Sequence, residues 1–139
     1  MNRILQSRLA GIGAAAIVMA AGTARADVSS TVTIASDYDF RGITQTALDP
    51  AFQASLDWEG ESGLYAGLWG SNVDFGDGAE GSDVEIDLIL GYAGSITESL
   101  GYDVGATYYL YLPDDDDVDY LEVYAGLSQG MFSGKIWYS

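Results

Sequence analysis

Hydrophobic and polar residues alternate with a period of two along almost the whole chain after Ala26. Such alternation is the signature of strands with two unlike faces. The run from Val28 to Arg41 sets Val32, Ile34, Tyr38 and Phe40 on one face against Thr33, Asp37, Asp39 and Arg41 on the other. Phe52, Ala54, Leu56 and Trp58 alternate with Gln53, Ser55, Asp57 and Glu59. Leu64 to Ser71 alternates weakly, because both phases are apolar. Val84 to Tyr92, Tyr102 to Tyr111, Tyr120 to Leu127 and Met131 to Tyr138 repeat the pattern. The spacing predicts seven strands of about 8–13 residues, and no helical period follows Ala26.

The charges sharpen this picture. Inside the strand bodies they fall on one phase: Asp37, Asp39, Arg41, Asp57, Glu59, Glu85, Asp87, Asp103, Glu122 and Lys135. The opposite phase carries none, apart from Asp119 at the lip of its strand. A charge-free face is expected where strands meet lipid, since Arg or Lys at mid-membrane costs about 2–4 kcal/mol. A soluble barrel or sandwich with an apolar core gives the same alternation. The connections and aromatics favour the membrane. Polar, acidic connections at Gly42–Asp49, Asn72–Ser82 and Leu112–Val118 alternate with turns at Gly60–Gly63, Gly94–Gly101 and Ser128–Gly130. Long outer loops and short periplasmic turns are the habit of transmembrane barrels. Trp58, Tyr65, Tyr92 and Tyr102 fall at the predicted periplasmic ends. Tyr38, Phe40, Trp69, Tyr108, Tyr111, Tyr120, Trp137 and Tyr138 fall towards the outer ends, giving two belts, although Trp69, Tyr111, Tyr120 and Trp137 stand on the lumen phase or an uncertain one.

The first 26 residues read differently. Arg3 and Arg8 precede an apolar run from Leu9 to Ala21, and Ala24-Arg25-Ala26 offers a small-x-small cleavage site. This predicts a signal peptide over residues 1–26, too short in its apolar part for a spanning helix. Cleavage leaves Arg41 and Lys135 as the only basic residues against 21 acids, a net charge of 2 − 21 = −19. That balance excludes a nucleic-acid partner and suits one that attracts cations. The chain has no cysteine and no histidine, so it lacks disulfide staples, the commonest metal ligand and the commonest general base.

Candidate chemistry is sparse. The outer-loop acids Asp74, Asp77 and Glu80 do not follow the spacing of a calcium-binding EF-hand loop. The run Asp114, Asp115, Asp116 and Asp117 is a solvated loop tip that could hold divalent cations loosely. No nucleophile elbow or phosphate-binding glycine loop is present, and the one-phase distribution accounts for the carboxylates without catalysis. The sequence therefore predicts no enzyme activity, no catalytic residue, no metal site and no cofactor. Arg41 reads as a rim cation at the outer end of the first strand, pairing with Asp39 or with acids across the wall.

Seven is an odd number of strands, whereas bacterial single-chain barrels use an even number. The chain also reaches KIWYS in mid-strand. Residues 27–139 are thus expected to be the N-terminal part of a longer barrel. SDYDFRGITQT, PAFQASLDWEGESGLYAGLWGSNVDF, EIDLILGYAGSI, YDVGATYYLY and YLEVYAGLS resemble the TorF-type porins, a proteobacterial family otherwise known as conserved hypothetical proteins. The resemblance spans Val28 to Ser139 and implies an outer-membrane β-barrel of greater length. It supplies no catalytic or substrate residues to carry over.

The expectation is an all-β, antiparallel transmembrane β-barrel, incomplete at about seven strands, in contact with outer-membrane lipid. It would pass small solutes by diffusion and prefer cations, with Asp37, Asp39, Arg41, Asp57, Glu85, Asp87, Asp103, Glu122 and Lys135 lining the pore. A non-conducting structural barrel and a soluble periplasmic β-barrel binding protein are the alternatives.

Overall fold

The computed structural model describes residues 15–21, 26–75, 82–113 and 118–139. Most of the predicted signal peptide, residues 1–14 and 22–25, lies outside them. So do Asp77, Glu80 and Asp114 to Asp117 of the acidic loops. The described residues are all β, without a helix. The strands are β1 (Ala15–Ala21), β2 (Ala26–Ala35), β3 (Asp39–Phe40), β4 (Ile43–Thr44), β5 (Ala51–Gly60), β6 (Leu64–Asn72), β7 (Val84–Ser95), β8 (Leu100–Leu112), β9 (Tyr120–Gln129) and β10 (Phe132–Tyr138).

Eight of them form one antiparallel sheet in the order β1-β2-β5-β6-β7-β8-β9-β10, and β3 and β4 form a separate hairpin. The sheet is open, with β1 and β10 at its edges. Each strand of this sheet pairs with the sheet strand that follows it in the chain, and the connection from β2 to β5 carries the separate β3–β4 hairpin. The seven predicted strands are all present. Part of the apolar run assigned to the signal peptide also forms a strand: β1 pairs with β2 from Ala15↔Ile34 to Ala21↔Val28.

Two boundaries correct the sequence reading. The first strand stops at Ala35 instead of running to Arg41, and the connection to β5 covers residues 36–50. The predicted turn at Gly94–Gly101 is shorter, because the β7–β8 ladder continues to Ser95↔Gly101. Residues 96–99 close it, with the Ile96 N–H donating to the Leu100 carbonyl at 2.8 Å. Three short turns thus lie at one end of the sheet and three long connections at the other. Backbone bonds tie the first two long connections to each other and the second to the end of β8. The Asp74 N–H donates to Gln45 O at 2.7 Å, and the Asp83 N–H to Leu112 O at 2.7 Å.

The two faces are inverted relative to a water-soluble sheet. Val32, Ile34, Phe52, Leu56, Leu88, Leu90, Leu121 and Leu127 are exposed. Thr33, Ser71, Glu85, Asp87, Asp103, Thr107 and Glu122 are buried. In a soluble sandwich the apolar residues would be covered and the carboxylates wet. Here Phe52 is 64% exposed and Glu85 1%.

Candidate functional site

Antiparallel register aligns the inner-face side chains in rows across the strands. One row reads Thr33, Gln53, Ser71, Glu85, Tyr111. The next reads Ser55, Trp69, Asp87, Tyr109, Tyr120, and the one below it Asp57, Gly67, Ile89, Thr107, Glu122. Towards the short-turn end come Tyr65, Gly91, Gly105, Tyr124, and then Asp103, Gly126, Lys135. Every row of the buried face therefore carries carboxylates, tyrosines or both.

The connection from β2 to β5 folds onto this face as a strap. Tyr38 stands over β6 and β7: its ring meets Trp69 edge-on at 5.3 Å and its hydroxyl donates to Glu85 Oε1 at 2.9 Å. Phe40 stands over β8, with its ring 6.2 Å from that of Tyr109. Arg41 reaches β9 and β10. Its Nη2 donates to both Oε1 and Oε2 of Glu122 at 2.8 Å, and its guanidinium lies 5.5 Å from the Trp137 ring centre. Residues 38–41 thus cross five strands of the sheet, and every contact is with an inward-facing side chain.

Local chemistry shapes the strap. Phe40↔Ile43 closes a hairpin around Arg41 and Gly42, whose φ values of +54° and +87° suit a type I′ turn. Asp39 Oδ1 accepts the Gly42 N–H at 2.8 Å. Asp37 Oδ1 accepts the hydroxyls of Thr44 at 2.5 Å and Thr46 at 2.9 Å. The Thr44 hydroxyl, with smaller help from Thr46, holds the Asp37 carboxyl below its ordinary range, against a modest opposing effect of burial. Burial, reinforced by Glu85, pushes the Tyr38 phenol up, so it stays a donor. Hydrogen bonding to Glu122 raises Arg41 above its ordinary value.

A second network occupies the short-turn end. The Tyr65 hydroxyl donates to Asp103 and lies 2.5 Å from the Tyr124 hydroxyl. Lys135 donates to the other oxygen of Asp103, and its Nζ sits 4.3 Å from the Tyr124 ring centre. The two tyrosines lie flat on the sheet because Gly91 and Gly105 fill the places between them. A Cβ at Gly91 would enter the Tyr65 ring, and one at Gly105 would enter both Tyr124 and the backbone at Leu90.

Among the described residues, the two ion pairs are Arg41–Glu122 and Lys135–Asp103. The two basic residues after Ala26 are therefore both spent on buried carboxylates of one face. Among the same residues, no group of three or more acids is arranged to hold a metal ion.

The candidate lining residues divide accordingly. Asp57, Glu85, Asp87, Asp103, Glu122 and Lys135 stand on the buried face of the sheet. Asp37 and Asp39 do not belong to the wall. Both serve the hairpin's own hydrogen bonds, because the chain leaves the sheet at Ala35. Arg41 stands at the hairpin tip and not at a strand exit, and of the two expected kinds of partner it takes an acid across the wall, Glu122, and not Asp39. Asp74 lies at a loop base, bridged through its backbone to Thr46. Of the aromatics assigned to the outer belt, Tyr38 and Phe40 pack inward instead, while Trp69, Tyr111, Tyr120 and Trp137, which share the charged phase or an uncertain one, face inward as that phase implies. Tyr65, assigned to the periplasmic belt, does the same.

The residue range of the match leaves little of the chain out. The chain belongs to the Gcw_chp family, described as bacterial proteins of unknown function, over residues 19–139. No curated protein and no solved structure matches it. Membership in Gcw_chp therefore leaves function to be argued from the geometry.

Sequence reasoning missed the tyrosine pair over Gly91 and Gly105. Its signal was present as interior strand glycines, but their tyrosine neighbours are set by register, not by proximity in the chain.

Proposed function

We propose that residues 27–139 form wall strands of an outer-membrane β-barrel through which small solutes diffuse, with a preference for cations. The observation that carries this reading is the inverted sheet, apolar and exposed on one face, carboxylate-rich and buried on the other. Water around such a protein would leave the apolar face uncovered over seven strands; lipid would cover it. The outward aromatics support the reading. Phe132, Tyr92 and Tyr102 mark the short-turn end, where Tyr92 and Tyr102 stack at 6.1 Å, and Phe52 and Tyr138 mark the other. The alternation of short turns and long connections is that of bacterial barrels, and the resemblance to TorF-type porins agrees with it.

Cation preference follows from charge. The inner face presents Asp57, Glu85, Asp87, Asp103 and Glu122 against Arg41 and Lys135, which leaves an excess of negative charge along a low-dielectric wall. Planar-bilayer recording in a salt gradient tests this: a reversal potential on the cation side is expected, and one on the anion side overturns it.

The strap favours a second reading, a non-conducting barrel closed by its own side chains. Residues 38–41 cross the inner face, and small barrels are commonly filled in this way. Such a barrel would show heat-modifiable gel mobility without conductance.

A further inference from the structure

The inner face holds two organic cations, and it holds them differently. Lys135 rises from the wall itself, its stem crossing Gly126 to reach Asp103. Arg41 arrives from outside the wall, at the tip of a hairpin. Its side chain is 51% exposed, whereas the Glu122 carboxylate beneath it is 2% exposed. One nitrogen serves both Glu122 oxygens, so the rest of the guanidinium fork is not used on the carboxylate.

The backbone adds a second, independent observation. Arg41 has φ +54° at the first central position of a type I′ turn. Asn, Asp and Gly are the residues that favour this position. A long unbranched cation persisting there points to a role for its side chain that outweighs turn preference. What the side chain finds is a cradle for a planar cation. Phe40 lies 4.7 Å and Trp137 5.5 Å from the guanidinium carbon, and the Tyr109 hydroxyl donates to Glu122 Oε2 at 3.2 Å. Aromatic faces beside a buried carboxylate select a guanidinium over a strongly hydrated ammonium.

We propose that the Glu122 cradle is a recognition site for small guanidinium solutes, and that Arg41 occupies it as a tethered surrogate when no solute is bound. The proposal names a solute class for the channel reading and rests on that reading for the route by which the solute arrives. An arriving guanidinium takes the place of Arg41 on Glu122 and beside Trp137. The hairpin tip is released, and no covalent step is involved.

The test uses Arg41→Asn, because Asn-Gly is a favoured pair for this turn: the hairpin is kept and the cradle vacated. The full chain in detergent micelles is titrated calorimetrically with ethylguanidinium, with ethylammonium as the comparison probe. The variant is expected to bind ethylguanidinium at least tenfold more tightly than the wild type, with a smaller gain for ethylammonium. Adding Glu122→Gln is expected to abolish the gain. Equal affinity in wild type and R41N, or full retention in the double variant, overturns the proposal. Should R41N not fold, Arg41→Gly also suits the turn and vacates the cradle, and it is judged by the same two outcomes. Micelle binding needs no conducting pore. Binding without conductance keeps the site and removes the channel, and conductance without binding does the reverse.

Discussion

Tyr65 and Tyr124, on strands that are not neighbours in the sheet, bring their hydroxyls to 2.5 Å from each other above Gly91 and Gly105. Two bulky rings cross two strands because those strands offer no side chain at that level. Gly105→Ala would place a methyl group against the Tyr124 ring and the Leu90 carbonyl. Overpacking of this kind costs about 1–3 kcal/mol. Urea unfolding of the refolded protein in lipid should show that loss, and an unchanged midpoint would show that the rings do not lie there.

Tyr65→Phe removes the phenol that links Asp103 to Tyr124 while keeping the ring. A buried acceptor losing one of its donors costs about 1–3 kcal/mol. Because Lys135 shares Asp103, the losses from Tyr65→Phe and Lys135→Met should not add. A double-mutant cycle in urea checks this, with coupling of about 0.5–3 kcal/mol expected for groups in one network.

Arg41→Ala leaves Glu122 buried with the Tyr109 hydroxyl alone. A stability loss of about 1–3 kcal/mol is expected from the uncompensated carboxylate. The same change removes one of two positive charges from the inner face, so on the proposed channel reading the reversal potential in a salt gradient should move towards the cation side relative to wild type. No change in either quantity would deny the pair its role.

The strap should loosen in acid. Asp37 has a lowered carboxyl in the folded protein, held down chiefly by the Thr44 hydroxyl. Its contribution is therefore complete above the ordinary carboxyl value of 3.8 and is lost as pH falls below that through the folded value. The chain has no cysteine, so Ile43→Cys offers a single site for a spin label on an exposed strap residue. Label mobility should rise below about pH 3.8, and Asp37→Asn should make the strap mobile at every pH.

Lipid contact can be read from one outward residue. Leu90 is 58% exposed at the middle of β7. Leu90→Arg should cost about 2–4 kcal/mol if that face meets the bilayer core. On a wet surface the same change would stay within about 0.5 kcal/mol. Ser99→Arg, at a short turn, serves as the near-neutral control.

Much of this was legible in the sequence because period-two alternation is local information. The seven strands, the single charged phase and the unequal connections at the two ends all follow from spacing along short runs. The strap was not legible. Asp37, Asp39 and Arg41 continue the alternation of β2, and a hairpin of two-residue strands has the same period as a longer strand. Its partners also lie far away, with Glu122 81 residues beyond Arg41. Nothing near Arg41 in the chain announces a carboxylate on β9. Trp69 and Tyr111 share the charged phase and were legible as inward, whereas only the strap brings Tyr38 and Phe40 over that face.

The glycines of the inner face form a line of their own. Gly67 on β6 stands in one row, Gly91 on β7 and Gly105 on β8 share the next, and Gly126 on β9 lies in the row beyond, at positions where other strands carry tyrosines and acids. A sheet thinned along such a diagonal creases there more easily than anywhere else. Its axis of curling is then slanted to the strands, and in a closed wall that slant is the strand tilt that stagger between neighbours demands.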